Sequence, residues 1–426
     1  MEVIMERERS IEEIYNEYMA EIIGDGAENE TLREAMQRAR AAYRANLKRA
    51  LETFPESVQY KEKARKIKEY SIDHLEELIE RTMESVRRNH GHAYLAKDAE
   101  EANRIIAEII GEPKKIVVKG KSLTTEETEL RQYLQARGHE VWETDLGEFL
   151  VQIRGARPMH MLAPSVDLTR EEAAKLISEV TGKELSPDSI EEMVAAVREF
   201  LRDKFTSAHV GIAGANAISA DTGTLFIIEN EGNIKLAASL PEKFIALVGV
   251  EKIVPTLDDA FHMVKTTWRF ANYMVPSYLH MISGPSKTGD IEKVTTYGAH
   301  GPREFHLVLL DNGRIELSKN PDFKEILYCM KCGACMYECP LFWIAAGHFG
   351  VRYPGGIGAL WDAFIAKGFK EAAPAVYTCA ICDRCRVRCP LNIDTARMII
   401  KLRAILYEKG YAPDVTKQVK TKLFKR

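Results

Sequence analysis

Two short cysteine runs constrain this chain more than anything else in it. "CMKCGACMYECP" places Cys329, Cys332, Cys335 and Cys339 before Pro340, and "CAICDRCRVRCP" places Cys379, Cys382, Cys385 and Cys389 before Pro390. Both read C-x2-C-x2-C-x3-C-P. All 8 cysteines of the 426-residue chain lie in these runs, and the first three-quarters contains none. Three cysteines at intervals of three wrap a loop around one iron–sulfur cubane. The fourth follows a longer gap and precedes a proline, points away, and ligates the other cluster in two-cluster ferredoxins. The spacing therefore predicts two [4Fe–4S] clusters with crossed ligation: Cys329, Cys332, Cys335 and Cys389 on one, and Cys379, Cys382, Cys385 and Cys339 on the other. Structural zinc prefers paired C-x2-C elements, and disulfides need an oxidising compartment that nothing in the chain suggests.

Arg384, Arg386 and Arg388 are threaded through the second run. Two expectations follow from them. They favour the reduced form of a negatively charged cluster, or they form a docking face for an acidic partner.

About forty residues separate the runs, including "GHFGVRYPGGIGALWDAFIAKGF". That gap is far longer than in a minimal ferredoxin and predicts a helical two-cluster module. Upstream, Lys114–Leu310 alternates strand and helix patterns: "KIVVKG", "HEVWET", "AHVGIAG", "GTLFIIEN", "FIALVGVEKIV" and "EFHLVLL" read as strands. Such alternation predicts a mostly parallel sheet covered on both faces, with ligands at the carboxyl ends of its strands. Before it, "NETLREAMQRARAAYRANLKRALETF" and "SIDHLEELIERTMESVRRN" have helical periodicity, the second with a Ser cap. The fold class is α/β with N-terminal helices and a C-terminal helical dicluster domain. The expected divisions are 1–90 (helical), 91–312 (α/β), 313–410 (cluster domain) and 411–426 (basic tail, five basic side chains within "TKQVKTKLFKR").

Net charge is −4, which offers no general attraction for nucleic acid. The charged opening "MEVIMERERSIEEIYNEY" lacks an apolar signal core, and runs such as "FIALVGV" are too short to span a bilayer. The expected location is the cytoplasm, with any membrane contact made through partners.

In the α/β part, "VVKGKSLTTEE" brings Lys121, Ser122 and Thr125 to a helix start, a plausible anion site, though it is no P-loop. "GIAGANAISADTGTLFIIENEG" offers Asn216, Asp221, Thr222, Gly223 and Thr224 at a turn, as ligand contacts or as a purely structural turn. His300 sits in the loop "ISGPSKTGDIEKVTTYGAHGPREFH". Glu143, Asp145, Glu148 and His160 are candidate acid–base groups. Neither a Ser-His-Asp spacing nor G-x-G-x-x-G is present.

"GIAGANAISADTGTL", "IALVGVEKIVPTLDDA", "HGPREFHLVLLDNGR" and "RYPGGIGA", together with the two cysteine runs, resemble the lactate utilisation protein B family over about Gly91–Arg403. The resemblance implies a LUD domain similar in fold to sugar-phosphate isomerases and CoA transferases. It implies a part in oxidising L-lactate to pyruvate, with a second LUD protein and a cysteine-rich protein or flavoprotein as partners. One segment departs from the family pattern: "SGPSKTGDIE" stands where a "RSATGQ"-like stretch is usual, and looks more like the cluster-free LUD partner. The resulting expectation is an iron–sulfur electron-transfer subunit of a 2-hydroxy acid oxidoreductase. The alternative is an electron-transfer and docking module whose LUD domain does no chemistry.

Overall fold

The computed structural model describes residues 9–414, so most of the basic tail, 415–426, lies outside the described residues. The chain divides into two compact units, residues 42–333 and residues 1–41 with 334–426. The helical stretch expected over 1–90 is thus shared between units rather than forming its own.

Unit 42–333 is built on a six-stranded sheet of β1 (His92–Ala96), β2 (Ile116–Lys119), β3 (Glu140–Glu143), β4 (Val210–Ala213), β7 (Lys243–Gly249) and β12 (Glu304–Leu310). Its order is β1-β12-β7-β4-β2-β3, and every pairing is parallel. Strands buried on both faces need apolar residues in both phases of the two-residue repeat. In β7, Phe244, Ala246 and Val248 face one core while Ile245 and Leu247 face the other. In β12, Phe305, Leu307 and Leu309 alternate with Val308 and Leu310 in the same way. Helices Ala99–Ile110 and Leu130–Ala136 cover the second face. Helix Asn233–Ser239 packs so closely that a Cβ at Gly211 of β4 would lie 1.7 Å from the Ala237 carbonyl oxygen. Glycine is required there.

A second, smaller sheet was not foreseen. β5 (Ala217–Ser219), β6 (Leu225–Glu229), β8 (Ile253–Val254) and β9 (Tyr278–Ile282) run in the order β8-β5-β6-β9. β6 is antiparallel to both neighbours. "GTLFIIEN" is therefore not a strand of the parallel sheet. "FIALVGVEKIV" divides between the two sheets at the 3-10 turn Val250–Lys252. β10 (Lys287–Thr288) and β11 (Thr296–Tyr297) pair antiparallel over two residues each.

The N-terminal helices form where their periodicity put them, at Glu30–Thr53, Tyr60–Asp73 and Leu75–Arg88. Ser71 does not cap the last of these. It lies within the preceding helix and donates to the Ile67 carbonyl at 2.7 Å. In the other unit, helices Pro340–Ala345, Gly355–Trp361, Phe369–Thr378 and Thr395–Glu408 flank Cys339 and the second cysteine run. No strand occurs after Leu310 among the described residues. No helix there is long and apolar enough to cross a membrane.

At the carboxyl edge of the parallel sheet, Arg314 is fully buried. Its Nη1 and Nη2 donate to Glu127 at 2.9 and 2.7 Å, and its Nε donates to Glu251 at 2.6 Å. These bonds join segments following β2, β7 and β12. Arg314→Met leaves two carboxylates buried with fewer partners. It is expected to cost about 3 kcal/mol or more in chemical denaturation.

The loop after helix Leu146–Arg154 turns on His160, whose Nδ1 accepts from Leu162 N–H (2.9 Å) and Ala163 N–H (3.1 Å). Burial, helped by Lys121, pushes this imidazole from 6.5 down to about 3. His160 is thus a neutral structural ring, not an acid–base group. Between those two values the unfolded chain binds the extra proton, so stability falls as pH drops below about 6.5. Wild-type protein is expected to lose about 2 kcal/mol from this residue at pH 5. His160→Asn removes that component. Equal acid sensitivity of the two proteins in urea titrations at pH 7.5 and 5 would contradict the assignment.

Candidate functional site

The second cysteine run forms a cup. Cys379 ends helix Phe369–Thr378, and Ile381 (φ 53°) and Asp383 (φ 60°) then curl the chain through left-handed conformations. The short helix Arg384–Arg388 carries Cys385. Cys339 sits at the N-cap of helix Pro340–Ala345, where proline at the first helical position suits the turn. Cys379, Cys382, Cys385 and Cys339 line one cavity, which Cys335, Leu341, Gly355, Gly356, Ile381 and Thr395 also border. Cys389 does not border it. Burial pushes the Cys339 thiol up to about 11 and Cys385 to about 12, and raises Cys379 as well. Bare thiols there hold their protons. Iron, which binds the thiolate, is the partner this all-sulfur donor set fits.

The arginines of this run are engaged. Arg386 pairs with Asp394 (2.9 Å) and donates to Asn392 (3.1 Å), while Arg388 pairs with Glu338 (2.8 Å). Arg384 lies 5.7 Å from the Trp343 ring centroid. Carboxylates offset two of the three charges, which weakens both roles expected of them.

The uncompensated positive charge lies by the first run instead. Lys331, at φ 58°, donates its amide to Cys329 Sγ at 3.4 Å, and its ammonium pairs with Glu251 at 3.4 Å. Lys252 Nζ donates to the Met330 carbonyl at 3.5 Å, and Lys68 Nζ to the Glu251 carbonyl. Lys68, Lys252, Lys331 and Arg314 are all buried, around the buried carboxylates Glu251 and Glu127. Neither Lys68 nor Lys252 has a carboxylate ion-pair partner among the described residues. Burial pushes Lys68 down to about 7 and Lys252 to about 8, with Glu251 and Cys329 opposing it on both. The surrounding cations hold Glu251 well below the usual carboxylate range despite its burial.

A cavity of about 240 Å³ opens at the carboxyl ends of β2 and β4, within unit 42–333. Its polar wall includes Lys121, Ser122, Thr124, Asn216, Asp145 and Glu231, and it extends to Lys252, Met330 and Lys331. Of the residues expected to bind a ligand, Lys121, Ser122 and Asn216 are there. Asn216 also accepts from Ile228 N–H at 2.8 Å, which holds the β5–β6 hairpin. Thr125 lies behind the wall: its amide donates to Ser122 Oγ (3.3 Å) and its hydroxyl to the Ser122 carbonyl (2.8 Å).

Asp221, Thr222, Gly223 and Thr224 do not line the cavity. They make the structural turn that was the other reading of this segment. The Ser85 and Asn89 side chains donate to the Asp221 and Thr222 carbonyls at 3.1 and 2.7 Å, and Leu257 N–H donates to Asp221 at 3.2 Å. Gly223, at φ 64°, would place a Cβ 2.8 Å from Val86 N. His300 is exposed in its loop and also lies away from the cavity.

Among the acid–base candidates, Glu143 is bound by Lys119 at 2.9 and 3.0 Å, and Asp145 caps helix Leu146–Arg154. Glu148 stands 4.0 Å from Lys121, and burial pushes it up to about 8. Sequence reading missed Glu231, which burial and Asp145 push up to about 7. It also missed Lys252 and Lys331. They are distant in the chain and share no local motif, although Lys252 lies inside the quoted "IALVGVEKIVPTLDDA".

Comparison with known proteins finds two domains. Residues 79–310 match the LUD domain and residues 325–393 the 4Fe-4S dicluster domain. The chain is 32% identical over 386 residues to a protein of Escherichia coli named "Uncharacterized electron transport protein YkgF", covering 90% of this chain and 79% of that one. It is 33% identical over 398 residues to lactate utilization protein B of Bacillus pumilus, covering 92% and 82%. A solved DUF162 family protein from Deinococcus radiodurans shows only a weak overall likeness, at a TM-score of 0.32 and 13% identity over 55% of this chain and 98% of that one. With a LUD domain, a dicluster domain and eight cysteines for two [4Fe–4S] clusters, the chain belongs to the lactate utilisation protein B family and is an iron–sulfur electron-transfer protein.

Proposed function

We propose that this chain is the iron–sulfur subunit of a complex that oxidises L-lactate, or a closely related 2-hydroxy acid, to pyruvate. The observation carrying this reading is that Met330 and Lys331, between Cys329 and Cys332, form part of the wall of the LUD cavity. A small molecule bound there stands one residue from a cluster ligand. When bound, the clusters supply one-electron acceptance and transfer.

In our reading the ligand sets are crossed. Cys329, Cys332, Cys335 and Cys389 hold one cluster, and Cys379, Cys382, Cys385 and Cys339 hold the other. The shared cavity of the second set supports its half of that pattern. Oxidation of the alcohol to the ketone releases two electrons and two protons. The chain shows neither a flavin nor a nicotinamide motif, so a partner supplies the two-electron step. That partner is a flavoprotein, or acts with a second LUD protein and a cysteine-rich protein. Lys121, Ser122 and Asn216 orient the carboxylate end of the substrate. Asp145 and Glu231 face its hydroxyl end, where a carboxylate with a raised pKa can exchange a proton. We place the protein in the reducing cytoplasm, touching the membrane only through partners.

Two measurements test this. Anaerobic L-lactate should bleach the visible cluster absorption of the assembled complex but not of this chain alone. Absence of bleaching with every partner present would refute the assignment. Cys339→Ser should disturb the cluster of the second run. Electron paramagnetic resonance showing that it perturbs the same cluster as Cys332→Ser would refute crossed ligation.

A further inference from the structure

Two of the four cations around Glu251, Lys252 and Lys331, serve two neighbours at once. Lys331 gives its amide to Cys329 Sγ, pairs its ammonium with Glu251 and borders the cavity. Lys252 holds the Met330 carbonyl and borders the same cavity. Lys68 belongs to the cluster of charges but does not border the cavity. The same positive charge thus faces both the cysteine loop and any molecule in the cavity.

The wall also limits what that molecule is. Lys121, Lys252 and Lys331 attract an anion, while Asp145 and Glu231 repel a polyanion and accept from hydroxyl groups. A cavity of about 240 Å³ has ample room for a small hydroxy- or oxo-carboxylate, so it is the charges of the wall that select. We propose that it takes a small hydroxy- or oxo-monocarboxylate, and that its occupancy is linked to the redox state of the cluster ligated by Cys329 and Cys332. This rests on the cluster assignment above.

The linkage follows from charge. Reduction places one more negative charge on the cluster, with no bond made or broken in the cavity. A bound anion shares Lys252 and Lys331 with that charge, so each disfavours the other. The anion lowers the cluster's midpoint potential, and reduction by the same factor weakens anion binding. In turnover, arrival of the electron helps to release the product carboxylate.

The test uses holo-protein with iron and sulfide counted first, titrated against potential with and without saturating pyruvate. One of two midpoints should fall with pyruvate while the other stays. Calorimetry should show pyruvate binding roughly fivefold or more weaker to the dithionite-reduced than to the oxidised protein. Lys252→Met should lower that midpoint without pyruvate and reduce the pyruvate-induced shift. Lys68→Met should lower the same midpoint yet keep the shift. Full iron with unmoved midpoints would overturn the linkage alone, whereas iron for fewer than two clusters would overturn the cluster reading itself. An equal shift with inorganic phosphate would overturn the monocarboxylate class.

Discussion

The contact on which the cavity and the first cysteine run both depend is the buried pairing of Arg314 with Glu127 and Glu251. Parallel strands end in loops that diverge, and nothing in the hydrogen-bond ladder fixes those loops to one another. Arg314 does so across three strand ends, with a fork geometry that a lysine could not match. Glu251 then has a second duty. Its carbonyl and remaining carboxylate oxygen receive Lys68 and Lys331, which brings cationic side chains to the residues next to Cys329 and Cys332. A buried ion network is a poor source of net stability, since desolvation offsets most of the attraction. Its value here is positional: it fixes charge beside Cys329 and at the rim of the cavity.

The two units show how differently sequence carries information. Cluster ligation is local. Cysteines three apart, with a proline after the fourth, state their chemistry within twelve residues, and the helical character of the connecting segment follows from its length and composition. The parallel sheet was equally readable, because strands buried on both faces need continuous apolar runs, as "FIALVGV" and "EFHLVLL" have. The second sheet was hidden. β5 and β8 are three and two residues long, too short for any period to be visible, and "GTLFIIEN" carries the same apolar run whichever sheet it joins.

The cavity was only half readable for a related reason. Lys121 and Ser122 follow a strand and open a helix, a local signal. Lys252, Lys331 and Glu231 reach the site from separate loops through tertiary packing. Asp221–Thr224 misled because small and hydroxyl residues serve a tight turn as well as they serve a ligand, and the difference lies in what packs outside the turn. The arginines of the second run misled too. Their spacing showed positive charge, but the carboxylates that offset it lie outside the second run, Glu338 in the first run and Asp394 just beyond Pro390.

The most direct test of the whole account is an anaerobic crystal structure of the cluster-loaded protein soaked with L-lactate. The account predicts a cubane bound by Cys339, Cys379, Cys382 and Cys385, and a small carboxylate among Lys121, Lys252 and Lys331 in contact with Met330. A cubane bound by Cys389 in place of Cys339, or an empty cavity at saturating L-lactate, would contradict it.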